Sequence, residues 1–137
     1  MYAVGAAVAW GAVYTIDQRV LRGASPFALL FVNSILTALL LLPFIFFEKN
    51  SLSSITGSSV RIWLLIITAL ALAALANYFI FSSIKILGAS TASIFEIAYP
   101  FFVVLFTSIV FQKAPSLYFA LGAVLIFAGA VVIIAFA

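Results

Sequence analysis

The chain has 137 residues, of which 68% are hydrophobic and only 7% charged, with a mean hydropathy of +1.42. A soluble domain of this size carries about a quarter of its residues as charges, so six basic and three acidic side chains cannot cover a water-facing surface. With no Cys and no His, disulfides, thiol nucleophiles, zinc clusters, haem ligation and imidazole chemistry are excluded. The nominal pI of 9.5 comes from singly scattered basic residues that form no patch for nucleic acid or anionic lipid.

A spanning helix takes about 20 apolar residues, so the apolar positions predict about five spans. That leaves room only for short loops, and none for a soluble catalytic or nucleic-acid-binding module. The runs are continuous rather than alternating, which predicts helices and not barrel strands.

The first span covers residues 2–19 and closes at Asp17, Gln18, Arg19 and Arg22. Gly23-Ala24-Ser25-Pro26 then marks a tight connection. No basic residue precedes the apolar stretch, so it reads as a mature span and not a secretory signal.

The second span covers residues 27–47 and ends at Glu48-Lys49; the polar stretch 50–59 is a short amphipathic or disordered connection. Arg61 and Trp63 open a third span, 61–81, at headgroup level, and Ser82-Ser83, Lys85 and Gly88 signal its end. A fourth span, 89–111, turns at Gln112-Lys113-Ala114-Pro115 into a fifth, 116–137. The order of elements predicts an all-α integral membrane fold of five transmembrane helices.

Lys and Arg in the loops normally set orientation. Here Lys49, Arg61 and Lys113 fall on one side and Arg19, Arg22 and Lys85 on the other, a tie of three against three. An even split fits wrong boundaries, orientation by a partner, or insertion both ways. Two copies in opposite orientation would reproduce the inverted-repeat architecture of secondary transporters.

Ionisable groups in hydrocarbon are costly and need an exit to water or a purpose. Six of the nine, Arg19, Arg22, Glu48, Lys49, Arg61 and Lys113, sit at span ends. Asp17 lies about a turn deeper and Lys85 in a connection, which gives both a topological or capping role. Glu96 is roughly 10 Å from the nearer span end at 1.5 Å per residue, too deep to snorkel.

On a helical wheel Ser93, Glu96, Pro100 and Thr107 fall within about 60°, a polar stripe that should face the protein interior or a cavity. Pro100 cannot donate to the carbonyl four residues back, which is that of Glu96, so kink and carboxylate coincide. An acid beside a freed carbonyl near mid-depth suits a site that exchanges a proton for a substrate; the plainer reading is a hydrogen-bonded packing residue.

Other spans supply candidates for the same cavity. Trp10 and Tyr14, with Asp17 or Gln18, share a face of the first helix; Asn33 and Thr37 share one in the second. Asn77 and Tyr78 lie near the end of the third, and Tyr99 adjoins Glu96. Aromatic rings beside a carboxylate suit organic cations or aromatic metabolites. Gly122 and Gly129, Gly5 with Ala9, and the alanines of the third span read as close helix contacts.

The order of Ala9-Trp10-Gly11, Ser25-Pro26, the 85–93 stretch, Tyr99-Pro100-Phe101-Phe102 and Gly122 through Gly129 resembles the EamA-type unit of the drug/metabolite transporter superfamily over nearly the whole chain. Where that family often has an acid directly before the helix-four proline, another acid after that helix and an Arg in helix two, this chain has Tyr99, Lys113 and Asn33.

The resemblance implies a five-helix domain over 1–137, one half of an inverted-repeat ten-helix transporter, in a prokaryotic cytoplasmic membrane. It implies transport of a small organic metabolite, usually outward, without a cofactor or enzymatic chemistry. The chain would work as an antiparallel homodimer or beside a second five-helix unit. An accessory subunit without transport, a lipid-carrier flippase component, or half of a heteromeric or ten-helix transporter are the alternatives. The expected substrate and proton site comprises Glu96, Pro100, Tyr99, Ser93, Trp10, Tyr14, Asn33, Asn77 and Tyr78.

Overall fold

A computed structural model describes residues 1–112 and 114–136, with all of their side chains except those of Phe46, Lys49, Asn50, Ser51 and Ser54. The described residues form helices and turns only: α1 (Tyr2–Val20), α2 (Pro26–Phe47), α3 (Lys49–Thr56), α4 (Val60–Leu87), α5 (Ala89–Glu96), α6 (Tyr99–Phe111) and α7 (Leu117–Phe136). The predicted contribution of Lys113 to the last turn and to the charge count, and the end of the last span at Ala137, lie outside the described residues. Four stretches are long and apolar enough to cross a bilayer: Pro26–Ile45, Val60–Leu87, Ala89–Phe111 and Leu117–Phe136. α1 is not among them, because Asp17, Gln18 and Arg19 follow a run diluted by small residues and aromatics.

The helix boundaries follow from local chemistry. At the α1–α2 turn the Ser25 hydroxyl accepts from the Ala28 N–H at 3.1 Å, and Pro26 stands where a missing donor costs nothing. Ser116 caps α7 in the same way, accepting from the Phe119 N–H at 3.2 Å. The connection after α2 takes the amphipathic form, as the helix α3. Pro43 lies inside α2 and removes one rung of its hydrogen-bond ladder.

Two boundaries differ from those read in the sequence. The third span does not end near Phe81: α4 runs on to Leu87, about 42 Å at 1.5 Å per residue. Ser82 fails to stop it because its hydroxyl donates back to the Tyr78 carbonyl at 2.7 Å, which satisfies it within the helix. Lys85 is therefore a last-turn residue and not part of a connection. Gly88, at φ +84° and ψ 161°, is the true stop.

The fourth span, Ala89–Phe111, kinks where its hydrogen-bond ladder is interrupted, with the backbone of Ile97 and Ala98 still right-handed helical. α5 ends at Glu96, Ile97 and Ala98 form a turn, and α6 begins at Tyr99. The ladder tightens there into shorter bonds, Ala98 N–H to the Phe95 carbonyl and Phe101 N–H to the Ala98 carbonyl, while Pro100 has no donor for the carbonyl of Glu96.

Packing is concentrated where α1, α2, α4 and α5 meet. Tyr14, Leu21, Leu29, Phe81, Ile84, Ala89 and Ala92 are buried together, and Leu21 in the α1–α2 turn is completely covered. Three long-range polar bonds stitch the same end. The Lys85 ammonium donates to the Ala24 carbonyl at 2.7 Å, the Gln18 side-chain Oε1 accepts from the Ala89 N–H at 2.9 Å, and the Tyr14 hydroxyl donates to Glu96. The α1–α2 and α4–α5 turns thus lie at one end, and Arg22 and Lys85 line the same polar pocket there.

α6 and α7 contain no buried residue and enclose an apolar groove of about 600 Å³. Apolar chains gain little by leaving lipid for protein, so such helices stay unburied without penalty in a bilayer.

Candidate functional site

α1 carries the two aromatic residues that organise the centre. Trp10 and Tyr14, one helical turn apart, face the same way with ring centroids 5.6 Å apart. Trp10 stays half in the open, whereas Tyr14 is buried against α5. From there its hydroxyl donates to Oε2 of Glu96 at 2.6 Å, a short bond of the kind formed to a charged acceptor. Glu96, the last residue of α5 and half-buried, is thereby held where the fourth span kinks.

Adjoining this pair through Trp10, a cleft of about 720 Å³ opens between α1, α2 and α4. Trp10, Asn33, Thr37 and Asn77 line it, so residues picked from three separate spans converge on one cavity. Asn33 and Asn77 are half-buried, and the Asn77 amide donates to the Ala73 carbonyl of its own helix at 2.9 Å, which fixes the side chain.

The remaining sequence candidates lie elsewhere. Tyr78 packs its ring on Phe27 at 4.6 Å between α4 and α2. Ser93 is exposed and donates to the Ser90 carbonyl at 2.8 Å, and Tyr99 and Thr107 are exposed as well. The predicted polar stripe is therefore divided: Ser93 and Thr107 are exposed, whereas Glu96 and Pro100 are half-buried. Pro100 packs toward α7, lining an apolar pocket with Tyr118 and Gly122.

Of the two residues that the sequence offered beside Trp10 and Tyr14, Asp17 and not Gln18 lines the cleft. Asp17 is 6% exposed, lines the same cavity as Trp10 and Asn33, and its Oδ2 is buried without a hydrogen-bond partner. In sequence it stands near a helix end, where a capping role is expected. The fold buries it among residues of α2 and α4. Its neighbour Gln18 takes the capping task, at the first residue of α5.

The cleft holds a carboxylate, an indole and two amides; among the described residues there is no group of three or more metal-ligating side chains. Such a set can bind and orient a small polar molecule.

The arrangement is that of a multi-pass membrane protein with a polar cleft among its helices. The sequence matches the EamA-like transporter family across residues 1–135, and the chain belongs to that family. Comparison with curated proteins and with solved structures gave no match. Family membership assigns the chain to transport across a membrane, with a small molecule as the cargo.

Proposed function

We propose that the chain is one five-span unit of a secondary transporter that exports a small organic metabolite by alternating access. It works against a second unit in inverted orientation, in the simplest case another copy of itself, in a prokaryotic cytoplasmic membrane. The observation that carries this reading is the interrupted fourth span with Glu96 at the kink, hydrogen-bonded to Tyr14 beside the cleft. A carboxylate at an interrupted helix is where a transporter of this architecture exchanges a coupling proton for substrate.

α1 counts as the fifth span in this reading. Its 19 residues reach about 28 Å at 1.5 Å per residue, near the roughly 30 Å of a hydrocarbon core. The partner is supported by surface. A compact 14.7 kDa soluble chain exposes about 6,900 Å² by the usual scaling, whereas this chain exposes 10984 Å².

The test is uptake of an equimolar mixture of amino acids, amines and nucleosides into proteoliposomes, read by mass spectrometry with and without a pH gradient. The proposal predicts that at least one compound accumulates above protein-free vesicles when the gradient is applied. No accumulation of any compound under either condition would overturn it.

A further inference from the structure

We infer that Asp17 is the cation-recognising residue of the α1–α2–α4 cleft, and that the cleft takes a small organic cation, an amine or guanidinium carrying an apolar or aromatic body. The inference deepens the transport reading and rests on it for the role of the cleft, though its chemistry can be tested by binding alone.

Asp17 carries one of only three acidic side chains in the sequence. It is nine-tenths buried, it lines the cleft, and its Oδ2 meets no donor. A buried carboxylate oxygen without a partner is costly and calls for a counter-charge or a donor. The basic residues of the same end are placed otherwise: the Lys85 ammonium is bonded to the Ala24 carbonyl, and Arg22 lines the polar pocket at the turns. No cationic side chain lines the cleft itself.

The second acid is already engaged. Glu96 accepts the Tyr14 hydroxyl, so the two carboxylates differ in what they can still receive. Trp10, half-exposed two turns before Asp17, offers an indole face to a cation or to the ring attached to it. Asn33 and Asn77 add amide oxygens that accept from an N–H donor. Acceptors, a carboxylate and an aromatic face together select positive charge over negative and donors over acceptors.

Three probes of nearly the same shape separate charge from size: 2-phenylethylamine, 2-phenylethanol and 3-phenylpropionate. Their binding to the full chain in phosphatidylcholine nanodiscs is measured by titration calorimetry against empty nanodiscs. The inference predicts the order amine, alcohol, carboxylate. It predicts that Asp17→Asn weakens the amine on the order of tenfold or more, as expected for loss of a charge-assisted contact, with the alcohol little changed, and that Asp17→Glu keeps the amine preference.

Equal binding of the three probes, preference for the carboxylate, or an amine preference that survives Asp17→Asn would overturn it. Should Asp17→Asn fail to fold, the wild-type order and the Asp17→Glu variant decide. An amine preference without gradient-driven uptake of any compound would sink the transport reading and leave this inference standing. Uptake of neutral or acidic compounds without an amine preference would do the reverse.

Discussion

Tyr14 lies between the two acids, one turn from Asp17 on its own helix and hydrogen-bonded at 2.6 Å to Glu96 on another. Its ring is packed in the buried cluster and against Trp10, so the packing and the hydroxyl can be separated by substitution. Tyr14→Phe keeps the ring and removes only the bond to Glu96. A hydrogen bond to a charged group contributes about 1.5–3 kcal/mol, so a modest fall in thermal stability is expected with helix content intact. The pH profile of uptake should shift while binding of an uncharged probe in the cleft does not, which circular dichroism and proteoliposome flux at several pH values will check.

Glu96, Trp10, Tyr14, Asn33 and Asn77 could be picked from the sequence because each is polar or amphipathic at a helical position where lipid offers it nothing. Asp17 could be placed on the same face as Trp10 and Tyr14, but its burial could not, since a carboxylate near a helix end ordinarily reaches water; residues of α2 and α4, distant in sequence, surround it. The pairing of Tyr14 with Glu96 crosses 82 residues and was equally hidden, although both residues were candidates.

Among the elements, the α4–α5 junction depends on one backbone geometry. Gly88 adopts φ +84° with ψ 161°, a region that side-chain-bearing residues almost never occupy, so the strain of an added Cβ would lie in the backbone and not in its ordinary 3.5 Å contact with the Gln18 amide. Gly88→Ala should therefore cost about 1–3 kcal/mol, lowering the unfolding temperature in detergent; an unchanged melt would contradict this. Pro100→Ala restores a donor to the Glu96 carbonyl. It should join α5 to α6, leave stability equal or higher, and slow coupled uptake if the kink is needed for alternation.

The apolar runs made the long helices legible, and Ser25-Pro26 and Gly88 gave true boundaries. The serines after Phe81 misled because a serine can satisfy itself on its own helix. The interruption of the ladder at residues 97–98 lies where the kink from Pro100 was expected, since the proline leaves the Glu96 carbonyl without a donor.

At the scale of the molecule, the chain is packed at one end and open along α6 and α7. Its exposed area exceeds that of a compact chain by about 4,000 Å² on the usual scaling, and the groove between these two helices is almost wholly apolar. A second unit laid against this side would cover the apolar groove between α6 and α7. With three basic residues counted on each side in the five-span reading of the sequence, the antiparallel pair proposed above predicts copies of both orientations, and a C-terminal reporter should give signal from both faces of the membrane. Signal from one face only would rule out the antiparallel pair of identical chains, leaving a distinct second unit as partner.

Coupling through Glu96 is the claim on which the account turns, and gradient-driven uptake by the Glu96→Gln variant tests it most directly. With a compound found in the mixture screen, the wild-type chain should accumulate it under a pH gradient. Glu96→Gln, equally folded and reconstituted, should fall to the level of protein-free vesicles. Undiminished accumulation by Glu96→Gln would contradict the account.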